Sequence, residues 1–140
     1  MSGKTTLSTL REKHLAGEKL ALLTCYDASF AAMLFGAGVD ALLVGDSCGM
    51  VIAGHGSTLP VTMDDMRYHA AAVARGAPDA FVIADMPFGS FQVGREETLR
   101  NAVRLLSAGA HMVKLEGGTW LADTVAYLCL LYTSPSPRDS

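Results

Sequence analysis

Four short apolar runs in this sequence each close on side chains that can do chemistry. "LALLTCYD" (20–27) ends at Asp27, and "DALLVGDS" (40–47) ends at Asp46 and Ser47. "AFVIADMP" (80–87) reaches Asp85 near its end, and "HMVKLEGG" (111–118) carries Lys114 and Glu116. A carboxylate closing one strand serves equally well as a turn residue or helix cap, because Asp and Ser supply turn hydrogen bonds. Three carboxylates and a lysine gathered at one rim call for more. Carboxylates around one point repel unless a cation sits among them, and a donor set made only of oxygen favours Mg²⁺ over zinc. The residues alone leave both readings open: turns and caps, or a divalent-metal site.

Repetition is what would gather them. Each run is nearly continuous in hydrophobicity, as expected of parallel strands covered on both faces or closed into a barrel. Helical patterns lie between the runs. "ASFAAMLFGAG" follows Asp27 as N-cap and ends on glycine. "TMDDMRYHAAAVARGAP" opens with Thr62 and Asp65 at capping-box spacing and stops at Gly76 and Pro78. "REETLRNAVRLLSAGA" starts with acids, is expected to bury Leu99, Val103 and Leu106 on one face, and stops at Gly109. A further helix begins near Thr119, and an amphipathic helix over 7–16 precedes the first strand. Four βα repeats predict an α/β fold with a parallel sheet. In such folds the strand C-termini share one face, and that face carries the site.

Composition narrows the partners. A chain of 140 residues, 50% hydrophobic, suffices for one domain with a substantial core. A net charge of −3 offers no basic face to nucleic acid or to an anionic membrane. No apolar run has the length of a membrane span, and the polar N-terminus has no signal-peptide core. Cys25, Cys48 and Cys129 are odd in number and widely spaced, which reads as reduced thiols of a cytoplasmic protein. The "GHGS" loop holds no phosphate-binding fingerprint. His55 in that loop is either solvated or near a substrate. His69 falls on a helix and reads as structural, while His14 and His111 suggest no role.

The longer stretches carry a resemblance. "VGDSCGMVIAGHGSTLPVT", "ADMPF" and "GAHMVKLEGG", in that order and spacing, are similar to the ketopantoate hydroxymethyltransferases, over about residues 5–128. The resemblance implies a TIM (β/α)8 barrel, here an N-terminal portion of four βα units preceded by a short helix. It implies hydroxymethyl transfer from 5,10-methylenetetrahydrofolate to 3-methyl-2-oxobutanoate, giving 2-dehydropantoate for pantothenate synthesis. It implies Mg²⁺ at Asp46, Asp85 and Glu116, stabilising an enolate, and contacts from Asp46, Ser47, Asp85 and Lys114 to the 2-oxoacid. It also implies a cytoplasmic homo-oligomer, typically a decamer, without nucleic-acid or membrane partners. The enzymes of the phosphoenolpyruvate mutase and isocitrate lyase group share the barrel and Mg²⁺-bound 2-oxoacid chemistry, and match these motifs less well.

Two departures accompany it. A complete barrel has eight βα units and typically about 250 residues, and the glutamate base of the family, on a later strand, has no counterpart in this chain. No catalytic base is therefore expected here, and as a physical fragment an inactive half-barrel is the alternative. The domain is expected over 1–128. The remaining "CLLYTSPSPRDS" (129–140) reads as translated sequencing-adaptor sequence with few contacts.

Overall fold

The structure, a computed structural model, describes residues 3–133. Helix α1 (Leu7–Leu15) precedes strand β1 (Leu22–Thr24), helix α2 (Ala28–Gly36) and strand β2 (Ala41–Val44). Then follow a single turn of helix, α3 (Cys48–Val51), the long helix α4 (Met63–Gly76) and strand β3 (Phe81–Asp85). Helix α5 (Arg95–Ala108), strand β4 (Met112–Lys114), a 3₁₀ turn (Thr119–Leu121) and helix α6 (Ala122–Thr133) complete the order. All strand pairs are parallel, and the sheet order β1-β2-β3-β4 follows the chain. Four βα repeats thus stand as the sequence predicts.

The caps are the predicted ones. Asp27 accepts the backbone N–H of Phe30 at 2.8 Å and starts α2. Thr62 and Asp65 exchange side-chain and backbone hydrogen bonds at the start of α4, a reciprocal capping box. At its other end, Gly76 lies against the first residue of α2. An added Cβ would collide with the carbonyl oxygen of Ala28, so glycine lets α2 and α4 approach.

One sheet face packs under the helices. Leu42, Val44, Val82 and Ala84 are fully buried there with Met66, Ala70 and Val73 of α4 and Ala102 and Leu105 of α5. Full burial of each large aliphatic side chain contributes about 1.5–3 kcal/mol. The other face carries Thr24, Leu43, Ile83 and Met112 side by side in register, and Leu22 beside Ala41. Of the two expected arrangements, helices over both faces or strands closing into a barrel, the first is not the one found: Leu22 is 50% and Met112 38% exposed. The strands are also shorter than the eight-residue runs, three to five residues each, because the polar ends turn away to enter loops.

Two helices differ from expectation. In α5 the buried residues are Thr98, Asn101, Ala102 and Leu105, while Val103 is 47% exposed. The two polar members are buried because Thr98 Oγ1 donates to Gly94 O at 2.7 Å and Asn101 Nδ2 to Ser90 O at 2.9 Å. Helix α1 buries no residue and is tied to the base of the sheet by polar links instead. The N–H of Thr5 donates to Asp79 O at 2.7 Å, and Lys13 pairs with Asp40 at 2.6 Å. The second oxygen of Asp40 accepts the N–H of Ala21 at 2.7 Å. Helix α6 continues past Leu128 to Thr133, across the expected end of the domain; residues 134–140 of the tail lie outside the described residues.

Candidate active site at the strand ends

The register of β3 and β4 sets Asp85 beside Lys114, on the face away from the helices. Asp85 ends β3 and its side chain is 14% exposed; the Lys114 ammonium lies 3.6 Å from Oδ1. Apart from that ammonium, Oδ1 is buried and accepts no hydrogen bond. The other oxygen, Oδ2, accepts the backbone N–H of Asp46 at 3.0 Å, so β2 and β3 are joined where the site begins. Gly45 makes the approach possible. A Cβ there would stand 3.0 Å from Ser47 Oγ and 3.4 Å from Asp85 Oδ2.

The half-buried Asp46 carboxyl titrates above the ordinary aspartate range. Burial is the main cause, followed by the negative charges of Asp85 and Glu116. Lys114 donates to Glu116 Oε1 at 2.7 Å. That bond raises the lysine and lowers the glutamate from their usual values. Asp46, Asp85, Lys114 and Glu116 line the polar side of a cavity of about 180 Å³, and Leu59, Met86, Phe88 and Phe91 line the apolar side. Of the strand-end groups expected at one rim, Asp46, Asp85, Lys114 and Glu116 therefore share one cavity, while Asp27 caps α2 outside it.

Other candidates fall outside it. Ser47 is half-buried beside the cavity rather than in its lining, with its hydroxyl 2.7 Å from the phenol of Tyr26. Glu116, expected with the two aspartates as a metal ligand, is turned onto Lys114, whose ammonium competes for it. Among the described residues, no three His, Cys, Asp or Glu side chains form a ready-made metal cluster. His55 is exposed on its loop and does not line the cavity. His69 is structural, its Nδ1 2.8 Å from Tyr26 O. The Cys48 thiol, next to the site, is pushed up to about 11 by burial and then by the charges of Asp65 and Asp46, so it stays protonated.

Sequence reasoning missed Tyr26, Gly45 and the apolar wall. The first two act through partners remote in the chain, and no local spacing marks them. The wall was visible only as "TLP" and "MPFGSF", hydrophobic residues placed among turn formers.

Comparisons with known proteins bear on the family and the fold. The sequence profile of the ketopantoate hydroxymethyltransferase family matches residues 4–132. The 3-methyl-2-oxobutanoate hydroxymethyltransferase of Thiobacillus denitrificans is 59% identical over 88% of this chain and 47% of its own length. That of Nitrosospira multiformis is 63% identical over 80% of this chain and 43% of its own. This chain thus spans about half the length of the curated relatives it matches. Among solved structures, a phosphonopyruvate hydrolase in complex with oxalate and Mg²⁺ superposes with a TM-score of 0.72, at 14% identity, over 93% of this chain and 48% of its own. A 2,3-dimethylmalate lyase of the PEP mutase/isocitrate lyase superfamily gives 0.61 at 23% identity, over 80% and 39%. At such identities the structural likeness shows the fold alone, a parallel α/β barrel of which this chain forms part. Among the described residues no helix is long and apolar enough to cross a membrane. With its profile match over nearly all of the described residues and these close relatives, the chain belongs to the ketopantoate hydroxymethyltransferase family.

Proposed function

We propose that this chain provides the metal and 2-oxoacid subsites for transfer of a hydroxymethyl group from 5,10-methylenetetrahydrofolate to 3-methyl-2-oxobutanoate. The observation that carries the reading is Asp85 Oδ1, a buried carboxylate oxygen without a hydrogen-bond donor, in one cavity with the Asp46 carboxyl. A cation suits such an oxygen. It would also relieve the burial and charge repulsion that raise the pKa of Asp46. Mg²⁺ is characteristically held by one or two carboxylates, with water and substrate completing its shell, so Asp46 and Asp85 suffice without Glu116. When bound, Mg²⁺ supplies Lewis-acid polarisation of the 2-oxoacid.

The chain's own residues do the rest. Lys114 adds positive charge where negative charge develops on the carbonyl oxygen, and Glu116 holds that ammonium in place. Leu59, Met86 and Phe91 offer an apolar wall to a branched alkyl group. At about 180 Å³ the cavity lies below the roughly 300–1,000 Å³ of drug-sized sites, so it fits a small acid and leaves the folate outside.

The test joins this chain to the remaining half of the Thiobacillus denitrificans relative and measures formation of 2-dehydropantoate. The completed protein should turn over, and its Asp85→Asn variant should lose both turnover and tight Mg²⁺ binding. Turnover by that variant at the parental rate would overturn the reading. The 140-residue chain alone should exchange the C3 proton of 3-methyl-2-oxobutanoate no faster than buffer. Of the carboxylates that line its cavity, Asp46 and Asp85 are assigned to the cation and Glu116 is bound to Lys114, and general-base assistance is worth about 10²–10⁴-fold. Exchange near the completed protein's rate would show that the base had been overlooked.

A further inference from the structure

We propose that Tyr26 is a positioning residue of this site, which donates its phenolic proton to Ser47 and so aims the Ser47 hydroxyl proton at the carboxylate of the bound 2-oxoacid. The inference rests on the functional reading above, in which Ser47 meets the 2-oxoacid. The two hydroxyl oxygens lie 2.7 Å apart, and Ser47 Oγ has no other hydrogen-bond partner among the described residues. Either could donate in principle. A phenol is far more acidic than an aliphatic alcohol, so Tyr26 is the better donor. The serine proton is then left for a further acceptor, and a chain of two hydroxyl donors strengthens each link.

Both ends of the pair are fixed from outside the cavity. Tyr26 follows β1, and its carbonyl lies 2.8 Å from Nδ1 of the half-buried His69 on α4. A carbonyl only accepts, so His69 carries its proton on Nδ1, and the helix holds the tyrosine backbone in place. Ser47 is held through its neighbours. The N–H of Asp46 is bound to Asp85, and Gly45 leaves just the space that Ser47 Oγ occupies. The hydroxyl of Ser47 therefore has little freedom except rotation of its proton, which Tyr26 settles. This assigns a role to the "YD" segment that its capping aspartate does not use.

The experiment is a double-mutant cycle on the 140-residue chain with Tyr26→Phe, Ser47→Ala and both together. Calorimetry reads the affinity for 3-methyl-2-oxobutanoate in saturating Mg²⁺, and separately the affinity for Mg²⁺ alone and the melting temperature. Each single variant should weaken 2-oxoacid binding about threefold to tenfold, the worth of one hydrogen bond. The double variant should bind no worse than Ser47→Ala, and Mg²⁺ affinity and melting temperature should stay unchanged. If Ser47→Ala loosens the 2-oxoacid and Tyr26→Phe does not, the inference fails while the functional reading stands. Additive losses, or a Tyr26→Phe effect confined to melting temperature or Mg²⁺, would also overturn it. If Ser47→Ala binds like the parent, the placement of Ser47 at the 2-oxoacid fails, and this inference with it.

Discussion

Lys114→Met should move the two ligands of this site in opposite directions. The lysine ammonium lies 3.6 Å from Asp85 Oδ1, the oxygen we assign to the cation, so metal and lysine compete for one carboxylate. The lysine side chain is 43% exposed, which calls for a water-like dielectric. Coulomb's law at that separation then gives about 1.2 kcal/mol, or roughly sevenfold in affinity, at the fully solvated limit. Methionine keeps the aliphatic stem and removes only the charge. We expect Mg²⁺ to bind threefold to sevenfold tighter, in the sense that Coulomb estimate requires. The 2-oxoacid, deprived of a charged donor worth about 1.5–3 kcal/mol, should bind at least tenfold more weakly. Calorimetric titration with MgCl₂, then with 3-methyl-2-oxobutanoate, reads both, at low ionic strength to limit screening. Weaker or unchanged Mg²⁺ binding would refute the competition and remove Asp85 Oδ1 from the metal site.

Two further outcomes test the scaffold. Gly76→Ala forces a Cβ against the backbone of Ala28, an overpacking that costs about 1–3 kcal/mol. The melting temperature should drop by several degrees, and an unchanged value would show that α2 and α4 separate freely. His111 accepts the N–H of Val82 at 3.1 Å, and burial, then the charge of Lys4, holds its pKa below the usual 6.5. The unfolded chain therefore takes up this proton first. The stabilisation is complete above about pH 6.5 and is lost as pH falls through the lower folded value. In His111→Asn that part of the pH dependence of melting should vanish, and equal slopes in parent and variant would argue against it.

The repeating order of strands and helices was legible because it depends on local periodicity and caps. Thr62 with Asp65 and the cap at Asp27 do what their spacing says. The convergence of Asp46, Asp85 and Lys114 was legible too, because parallel strands must end at one face. What escaped depends on partners far away in the chain. Leu99 and Val103 look like the core stripe of α5, yet burial of Thr98 and Asn101 is made possible by the carbonyls of Gly94 and Ser90, which no periodicity reveals. Turn residues hid α3, a single helical turn inside "DSCGMV". Helix α1 reads as amphipathic from Leu7, Leu10 and Leu15, but polar bonds hold it in place. Glu116 was expected at the metal through the family resemblance, and its 2.7 Å bond to Lys114, two residues earlier, is a contact that the resemblance does not reveal.

The pairing of Asp85 with Lys114 also bears on how the sheet finds its alignment. Strand β4 is only three residues long and lies at the edge of the sheet, where little else distinguishes one alignment from the next. Side chains alternate between faces, so a slip of one residue would present Val113 or Leu115 to Asp85 and send Lys114 to the helix side. The slipped sheet would then hold a nearly buried carboxylate against a hydrocarbon neighbour and an ammonium against the core, each costing several kcal/mol. The charges that we assign to the metal and substrate thus proofread the strand on which they stand. A variant that neutralises both of them has lost chemistry and, in the same stroke, the penalty that rejects misaligned sheets.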